Sequence, residues 1–357
     1  MFLFVFILCS FIGATTVFDQ AKNTRFIACI IISVILLLFA GTRTSEVGLD
    51  YEEYVRLFTL YPALNNLQSA TFVITEPAII FIPNFFYLFL SSGYELKATF
   101  LFFALFGVGI KMYAIQKSQF FFLSTVLYCS YIYFGQEMIT IRAGVACGLF
   151  LLAIEDLAKG KDVKFFLKIG IACLFHYSSI IFVFIWIIEK FNINYKFLYF
   201  GIFASLVIAI FKVNLLTFLK LDAVFPKVRL YLDLLAVTDE GSVNILNFRI
   251  LFGLLFAGLF AYKIDLFIDN KYFMILFRIH IVSIILFFAL SPTAMVFSLR
   301  VFDLLSIVQI LLYPFVVCLF KEKIIGYLIL LLFCTVNFYY IIYLSHWFDY
   351  GYNTWVF

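Results

Sequence analysis

The chain has 357 residues, of which 65% are hydrophobic and 13% charged, with a formal net charge of +4 and a mean hydropathy of +1.10. A soluble domain is about 45–50% apolar and about 25% charged, so this composition excludes a soluble protein. The basic residues are spread too thinly for nucleic acid to be a partner. The composition predicts an all-α, polytopic integral membrane protein surrounded by membrane lipids.

Apolar runs long enough for membrane helices recur along the chain. A hydrocarbon core of about 30 Å needs about 20 apolar residues per helix, and these runs lack the alternation of membrane β-strands. The runs are 1–18, 25–42, 72–93, 98–116, 120–135, 138–156, 165–188, 197–219, 247–263, 272–290, 296–319 and 324–345. They predict about 12 transmembrane helices, with 11 or 13 as alternatives, in a single transmembrane domain over 1–357.

Two long polar connections interrupt the runs, at 43–71 and 220–246. The first holds Arg43 and four carboxylates within twelve residues. From Asp50 onward its aromatic residues, Tyr54 among them, recur near helical spacing, which predicts an amphipathic helix at the membrane surface.

The Lys/Arg bias of the loops does not decide the orientation, because the basic residues divide almost evenly if every run crosses the membrane. Pro77 and Pro83 make 72–93 the best candidate for a segment that enters and leaves on the same side, since each proline removes a helix hydrogen bond.

Ionisable residues in or beside the apolar runs are functional candidates, because a charge at membrane depth costs at least a few kcal/mol. Arg142 opens a run and is followed by small residues; its alternative roles are snorkelling or pairing with Glu137. His176 lies near the middle of run 165–188 beside hydroxyl residues, and its alternative is a hydrogen-bonded core histidine. Glu76 precedes Pro77 and has a helix cap as its alternative.

Two further arginines begin later runs. Arg300 precedes Asp303 by three residues, so a structural ion pair on one helical turn is its alternative role. Arg249 opens a helix after Asn247. The seven cysteines and three histidines show no metal-binding spacing, so no metal site is expected.

Five stretches of the chain, taken in order, resemble landmarks of the EpsG-type membrane family, which is similar to the Wzy O-antigen and exopolysaccharide polymerases. They are Arg43-x4-Gly48-Leu49-Asp50-x3-Tyr54, Glu76, Ile141 to Ala146, Phe175 to Ser179, and Arg300-x-Phe302. The resemblance covers roughly 1–345. Leu49 and Ala143 depart from it, since the family more often has a small or hydroxyl residue and Gln at these positions.

The resemblance implies a GT-C-like membrane glycosyltransferase architecture and a multi-pass protein of the bacterial inner membrane. It implies polymerisation of undecaprenyl-pyrophosphate-linked oligosaccharide repeat units at the periplasmic face, without a cofactor. A chain-length regulator and a flippase would be partners, and connection 43–71 would be periplasmic.

The residues fit this reaction. Arginine forks match phosphate oxygens, so Arg43, Arg142 and Arg300 are candidates for the pyrophosphate. Asp50 and His176 are both candidates for the general base that accepts the proton of the acceptor hydroxyl. Three further residues join these sets, Glu76 as a base and Tyr54 and Arg249 as substrate-binding residues.

Two other classes of function stay open. A lipid-linked oligosaccharide flippase or transporter would bury charges along a midplane path, often between inverted repeats, and no repeat is found. An O-antigen ligase or a membrane acyltransferase would share a cavity that faces lipid, and an acyltransferase would depend on one central histidine such as His176.

Overall fold

The computed structural model describes residues 1–18, 21–60, 75–91, 93–218, 220, 244–293 and 295–356. These residues form helices and no strand; their one β-bridge joins Arg43 to Thr354. The helices in the first half are α1 (Phe2–Phe18), α2 (Lys22–Gly41), α3 (Tyr51–Leu60), α4 (Pro77–Phe89), α5 (Tyr94–Gln116), α6 (Phe121–Leu127), α7 (Tyr133–Met138), α8 (Ile141–Ala158) and α9 (Asp162–Phe175). The remainder are α10 (Phe182–Lys190), α11 (Tyr195–Ile210), α12 (Leu215–Phe218), α13 (Phe248–Tyr262), α14 (Lys271–Leu290), α15 (Met295–Leu305), α16 (Gln309–Leu312) and α17 (Lys323–Tyr339).

The all-helical membrane protein predicted from composition is confirmed. Five helical segments of the described chain are long and apolar enough to cross a bilayer: Lys22–Gly41, Tyr94–Gln116, Lys271–Leu290, Phe297–Leu319 and Lys323–Leu344. Four shorter apolar helices accompany them, Phe2–Phe18, Pro77–Phe89, Tyr195–Ile210 and Phe248–Tyr262. The total of about 12 crossings and the GT-C-like arrangement stay predictions.

The chain, predicted as one transmembrane domain, divides by its contacts into two compact units. The first unit comprises Met1–Ile180 and Tyr313–Phe357, and the second comprises Ile181–Leu312. In the second unit, α14 packs against α11 and α15. An ion pair of 2.8 Å between Arg278 and Glu189 ties α14 to α10.

In the first unit, α2 and α5 run antiparallel. The Cys29 thiol donates to the Met112 carbonyl at 3.5 Å, whereas at the other end of α2 a Cβ on Gly41 would lie 2.8 Å from the Leu101 side chain. Helix α2 therefore ends where α5 begins. We call this the Arg43 end of the first unit, and the opposite one the Lys159 end.

Segment 42–93 consequently starts and finishes at the Arg43 end. Its helix α4 has 13 residues, a length of about 20 Å, which is too short for a hydrocarbon core of about 30 Å. Phe86 of α4 packs against Phe102 of α5 at 6.1 Å between ring centroids. The described part of 72–93, which excludes 72–74 and 92, thus matches a segment that enters and leaves on one side.

Basic residues of the first unit concentrate at the Lys159 end. There Lys117 pairs with Glu155 at 2.8 Å, and Lys168 pairs with Asp156. Tyr327 of α17 lines a cleft with Thr16 and Arg25, so the start of α17 lies at this end too. The basic residues here are Lys22, Arg25, Lys117, Lys159, Lys161, Lys164, Lys168, Lys321 and Lys323.

Among the described residues, the Arg43 end carries only Arg43, Arg56 and Lys97 as basic residues, besides Arg142 within the bundle. The even sequence count treated 72–93 as a crossing, which put the loops that hold Lys117 and Lys159 on the side opposite Lys22 and Arg25. Once 72–93 does not cross, the charges of the first unit become strongly asymmetric.

Candidate active site

Helix α3 forms where aromatic spacing predicted a helix, and it buries its aromatic face. Tyr54 and Phe58 are buried, and the Tyr51 ring stacks on Phe100 of α5 with centroids 4.4 Å apart. Gly48 precedes the helix with a φ of 94°, and a Cβ there would lie 2.8 Å from the Met138 carbonyl oxygen. Only glycine suits this turn.

Four of the predicted site residues come together beside α3. Nη1 of Arg142 donates to Oε2 of Glu76 at 2.6 Å, and Nδ1 of His176 lies 3.4 Å from the other oxygen, Oε1. The Arg142 guanidinium lies over the Tyr54 ring, 5.5 Å from its centroid. We call Tyr54, Glu76, Arg142 and His176 the site cluster.

Helix ends place these side chains. Glu76 is the N-cap of α4, Arg142 is the second residue of α8, and His176 is the C-cap of α9. Helices α8 and α9 pack against each other, and the Tyr177 hydroxyl donates to the Thr75 carbonyl at 3.1 Å. Three separate helix ends therefore meet around one carboxylate.

The cluster is enclosed but not sealed. The side chains of Glu76, His176 and Arg142 are 7%, 12% and 26% exposed. Nε of Arg142 and Nδ1 of His176 are buried and form no hydrogen bond with the described residues. Because buried polar groups are nearly always hydrogen-bonded, these nitrogens make the cluster a candidate for ligand binding.

Asp50 lies next to Tyr54 of the site cluster, just before α3. Burial raises the pKa of the Tyr54 phenol, the nearby Arg142 lowers it, and the carboxylates of Asp50 and Glu76 raise it again. The net pKa lies above the ordinary value, so Tyr54 stays a hydrogen-bond donor at neutral pH. The half-buried Asp50 immediately precedes α3, and its carbonyl accepts from the Tyr54 amide at 3.0 Å.

Arg43 contacts the first turn of α3 and is only 1% exposed. Its guanidinium lies 5.5 Å from the Tyr51 ring centroid and 5.1 Å from that of Phe100, and Nη1 donates to the Ala40 carbonyl. Nε and Nη2 are buried without a hydrogen-bond partner among the described residues. Arg43 and Arg142 thus contact neighbouring tyrosines of one short helix.

The site cluster lies below the Arg43 end, inside the bundle. Ile141 and Val145, on either side of Arg142, share an apolar cluster with Phe100 and Phe103. Phe103 is nine residues from the start of α5, which corresponds to about 13 Å of helix. The cluster therefore lies at a depth where its charges are partly removed from water.

Arg249 and Arg300 belong to the second unit, which is described by itself. Arg249 pairs with Asp303 and lies over the Phe302 ring, 5.4 Å from its centroid. The partner expected for Asp303 from the sequence was Arg300, one turn away on the same helix. Arg300 itself is exposed on α15. Their roles in substrate binding stay predictions.

The profile of the EpsG family matches residues 26–356, which include the site cluster, Arg43 and Asp50. The chain belongs to the EpsG family. The resemblance found in the sequence is thereby confirmed. No curated protein and no solved structure matches the chain. The family suggests a polymerase-type membrane protein for exopolysaccharide or O-antigen and is consistent with a glycosyltransferase.

A buried ion pair, which was not predicted from the sequence, lies next to the site of this EpsG-family chain. Lys111 and Glu137, 0% and 1% exposed, pair with each other. Lys111 also donates to the Gly144 carbonyl at 2.6 Å, and the Tyr128 hydroxyl donates to Glu137 at 3.1 Å. The suggested alternative pairing of Arg142 with Glu137 is wrong, because each has another partner.

The position of Lys111 could have indicated its importance, since it is a lone charge within the run 98–116. Its partner is 26 residues away in sequence, so no local spacing pointed to the pair.

The described residues also include no group of three or more His, Cys, Asp or Glu side chains that could hold a metal ion.

Proposed function

We propose that this EpsG-family protein polymerises undecaprenyl-pyrophosphate-linked oligosaccharide repeat units at the extracytoplasmic face of the bacterial inner membrane. One observation carries the proposal. Two arginines that contact α3, Arg43 and Arg142, hold buried N–H groups without a hydrogen-bond partner among the described residues, near three candidate bases. A flippase would supply the lipid-linked units, and a chain-length regulator would act with the polymerase.

The proposed reaction is one displacement. The oxygen of an acceptor sugar hydroxyl attacks the anomeric carbon of the growing glycan, and the bond from that carbon to the pyrophosphate oxygen breaks. The hydroxyl proton passes to a base of the protein, while undecaprenyl pyrophosphate leaves with the electron pair. No protein nucleophile and no redox step is needed.

The arginines would bind the leaving group. Negative charge builds up on the pyrophosphate as the bond breaks, and donors already in place stabilise it most in an enclosed site. Arg142 is held by Glu76 and Tyr54, so its guanidinium is oriented before the substrate arrives. Arg43 adds a second cation, and because it is buried, its guanidinium is not surrounded by water.

Asp50 and His176 are the proposed candidates for the base. Asp50 is half-buried beside Tyr54, whereas His176 is held against Glu76. Glu76 lies between a guanidinium and an imidazole. In this position its carboxylate is better suited to orient both groups than to accept a proton. Asp50 is therefore our first choice.

The charge asymmetry of the first unit supports the proposed side of action. Short cytoplasmic loops carry an excess of Lys and Arg, so the Lys159 end would face the cytoplasm. The Arg43 end, with the site cluster, would then face the periplasm. This is the side of polymerisation that the resemblance to the family implies.

The function is tested by expressing the chain in a deletion strain and resolving its surface polysaccharide on a gel. We expect a ladder of long chains with the unaltered protein and single repeat units without it. Loss of the ladder in His176→Ala, together with full activity in Arg43→Ala and Arg142→Ala, would instead favour an acyltransferase. Accumulation of repeat units on the cytoplasmic side in the deletion strain would favour a flippase.

Asp50→Asn is expected to lower chain extension by about 10²–10⁴-fold, the usual contribution of a general base, because the amide cannot accept the proton. Asp50→Glu should keep part of the activity. Glu53→Gln is the matched control, since Glu53 is exposed on α3 and pairs with Arg56. An unchanged ladder from Asp50→Asn would show that Asp50 is not the base.

The orientation predicts which engineered cysteines are labelled in intact cells by a membrane-impermeant maleimide. Glu52→Cys at the Arg43 end should react, whereas Lys161→Cys at the Lys159 end should react only after the membrane is opened. Cys318 is exposed and is changed to Ser in both variants. Labelling of Lys161→Cys but not Glu52→Cys in intact cells would reverse the proposed orientation.

A further inference from the structure

A polar cleft of about 520 Å³ lies beside α3 at the Arg43 end, and none of its lining residues belongs to the site cluster. Its volume is within the range of about 300–1,000 Å³ that is typical of small-molecule sites. One wall comes from the turn before α3 and from its first residues, and the other comes from the chain after α17. The side chains in the walls include Glu46, Leu49 and Glu52 on one side and Trp347, Asp349 and Tyr350 on the other.

Both walls are fixed by unusual backbone. Gly48, which lines the cleft, has its φ of 94° and lies against the Met138 carbonyl. His346 opposite it has a φ of 59°, a conformation that costs free energy in a residue other than glycine and that persists only where the surroundings enforce it. A Cβ on Gly135 would lie 3.5 Å from the Trp347 ring.

The C-terminal chain is held in place across the cleft. The Tyr352 ring stacks on Phe39 with centroids 3.8 Å apart, and the Thr44 amide donates to the Asn353 carbonyl at 3.1 Å. The Asn353 side chain donates to Glu46 in the wall itself. These contacts hold the C-terminal chain against the rest of the first unit, so the cleft is a defined part of the fold.

The lining combines two kinds of group that suit a sugar. Indole and phenol rings pair an apolar face with a polar edge, which matches the C–H face of a pyranose and its hydroxyls. Carboxylates accept hydrogen bonds from hydroxyl and ammonium groups. The cleft has both, in Trp347 and Tyr350 and in Glu46, Glu52 and Asp349.

The charge of the lining decides between classes of sugar. None of the lining residues is Lys or Arg, and the one histidine, His346, is 3.2 Å from the Asp349 carboxylate. Like charges brought together in a binding site cost several kcal/mol, so a uronic acid or a phosphorylated sugar would be repelled. Hydroxyls and ammonium groups would be accepted.

We infer that this cleft binds a stretch of glycan built from neutral or amino sugars, and that the glycan this protein extends belongs to that class. The inference rests on the proposed function, because it takes the bound glycan to be the acceptor or the growing chain. Leu49 and Glu52 line the cleft on either side of Asp50 in sequence, so a glycan held there would end near the proposed base.

The test measures binding of three oligosaccharides to the full-length protein in lipid nanodiscs by calorimetry and tryptophan fluorescence. The probes are the tetramers of glucosamine, of β-linked glucose and of galacturonate. We expect the first two to bind and to change the fluorescence, and the galacturonate tetramer to bind at least tenfold more weakly. Equal binding of all three, or binding of none, overturns the inference.

Matched variants locate the binding. Trp347→Phe should abolish the fluorescence change, whereas Trp355→Phe, in the same C-terminal segment but against Lys97 at 4.7 Å, should leave it intact. Glu52→Lys should weaken glucosamine binding and strengthen galacturonate binding, each by about tenfold, since one charge in the wall changes sign. A fluorescence change that persists in Trp347→Phe, or probe preferences that Glu52→Lys leaves unchanged, would place the sugar elsewhere.

The binding assay is independent of the polysaccharide ladder. If the probes bind as expected but the deletion strain still makes long chains, the proposed function fails and the cleft stands as a sugar site. If the deletion removes the ladder but the cleft variants bind the probes as the unaltered protein does, the polymerase stands and the cleft inference fails.

Discussion

Arg142→Ala is expected to stop chain extension while the protein remains inserted in the membrane. Arg142 is the partly exposed cation of the site cluster, and its buried Nε has no hydrogen-bond partner in the part of the chain that the structure describes. Removing one such donor from a charge-stabilising site typically costs about 10²–10³ in rate. The surface polysaccharide should therefore collapse from a ladder to single repeat units, as read on a gel from the complemented deletion strain.

Several variants separate chemistry from folding. Arg142→Lys keeps the charge but not the fork, so we expect it to recover only a minor part of the activity. Arg142→Ala leaves Glu76 buried without its guanidinium partner, and the double variant with Glu76→Ala should regain stability but not activity. Arg56→Ala, at the same end and exposed, is the control. A long-chain ladder from Arg142→Ala would remove Arg142 from the site.

The sequence predicted members of this cluster because each of them interrupts an apolar run. An ionisable residue within an apolar run is visible without any knowledge of partners, and in the structure Arg142, Glu76 and His176 each mark a helix end. What the sequence could not supply is the pairing. Glu76 lies 66 residues from Arg142, so only the packed helices show that one carboxylate lies against both the Arg142 guanidinium and the His176 imidazole.

The membrane orientation was undecided for a related reason. A single segment, 72–93, determines the side on which every later loop is counted, and composition alone cannot tell a 13-residue helix from a crossing one. The antiparallel packing of α2 and α5 supplies the missing information. The sequence gives the number of charged residues, whereas the structure shows at which end of the first unit each of them lies.

Lys111→Met is expected to be the most destabilising single substitution near the site. Glu137 would remain in a fully enclosed position with only the Tyr128 hydroxyl as a side-chain donor, and breaking a buried pair by removing one partner typically costs about 3–5 kcal/mol. Glu137 has no space in which to move, because a Cβ on Gly107 or Gly144 would already meet its carboxylate. Thermal unfolding of the purified protein in detergent should show a large fall in the midpoint temperature.

The double variant Lys111→Met with Glu137→Gln should restore most of that stability, because no buried charge is left without a partner. Lys117→Met, at the C-cap of α5, is the matched control, because its pair with Glu155 is 41% and 31% exposed and is worth about 0–1 kcal/mol. In the double variant, the activity should be lowered although the stability is largely restored. Lys111 also holds the Gly144 carbonyl in the first turn of α8, so the double variant should fold and yet extend chains slowly, with Arg142 on a loosened helix start. A stable double variant with full activity would confine Lys111 to stability alone, and a Lys111→Met midpoint equal to that of Lys117→Met would contradict the buried pair.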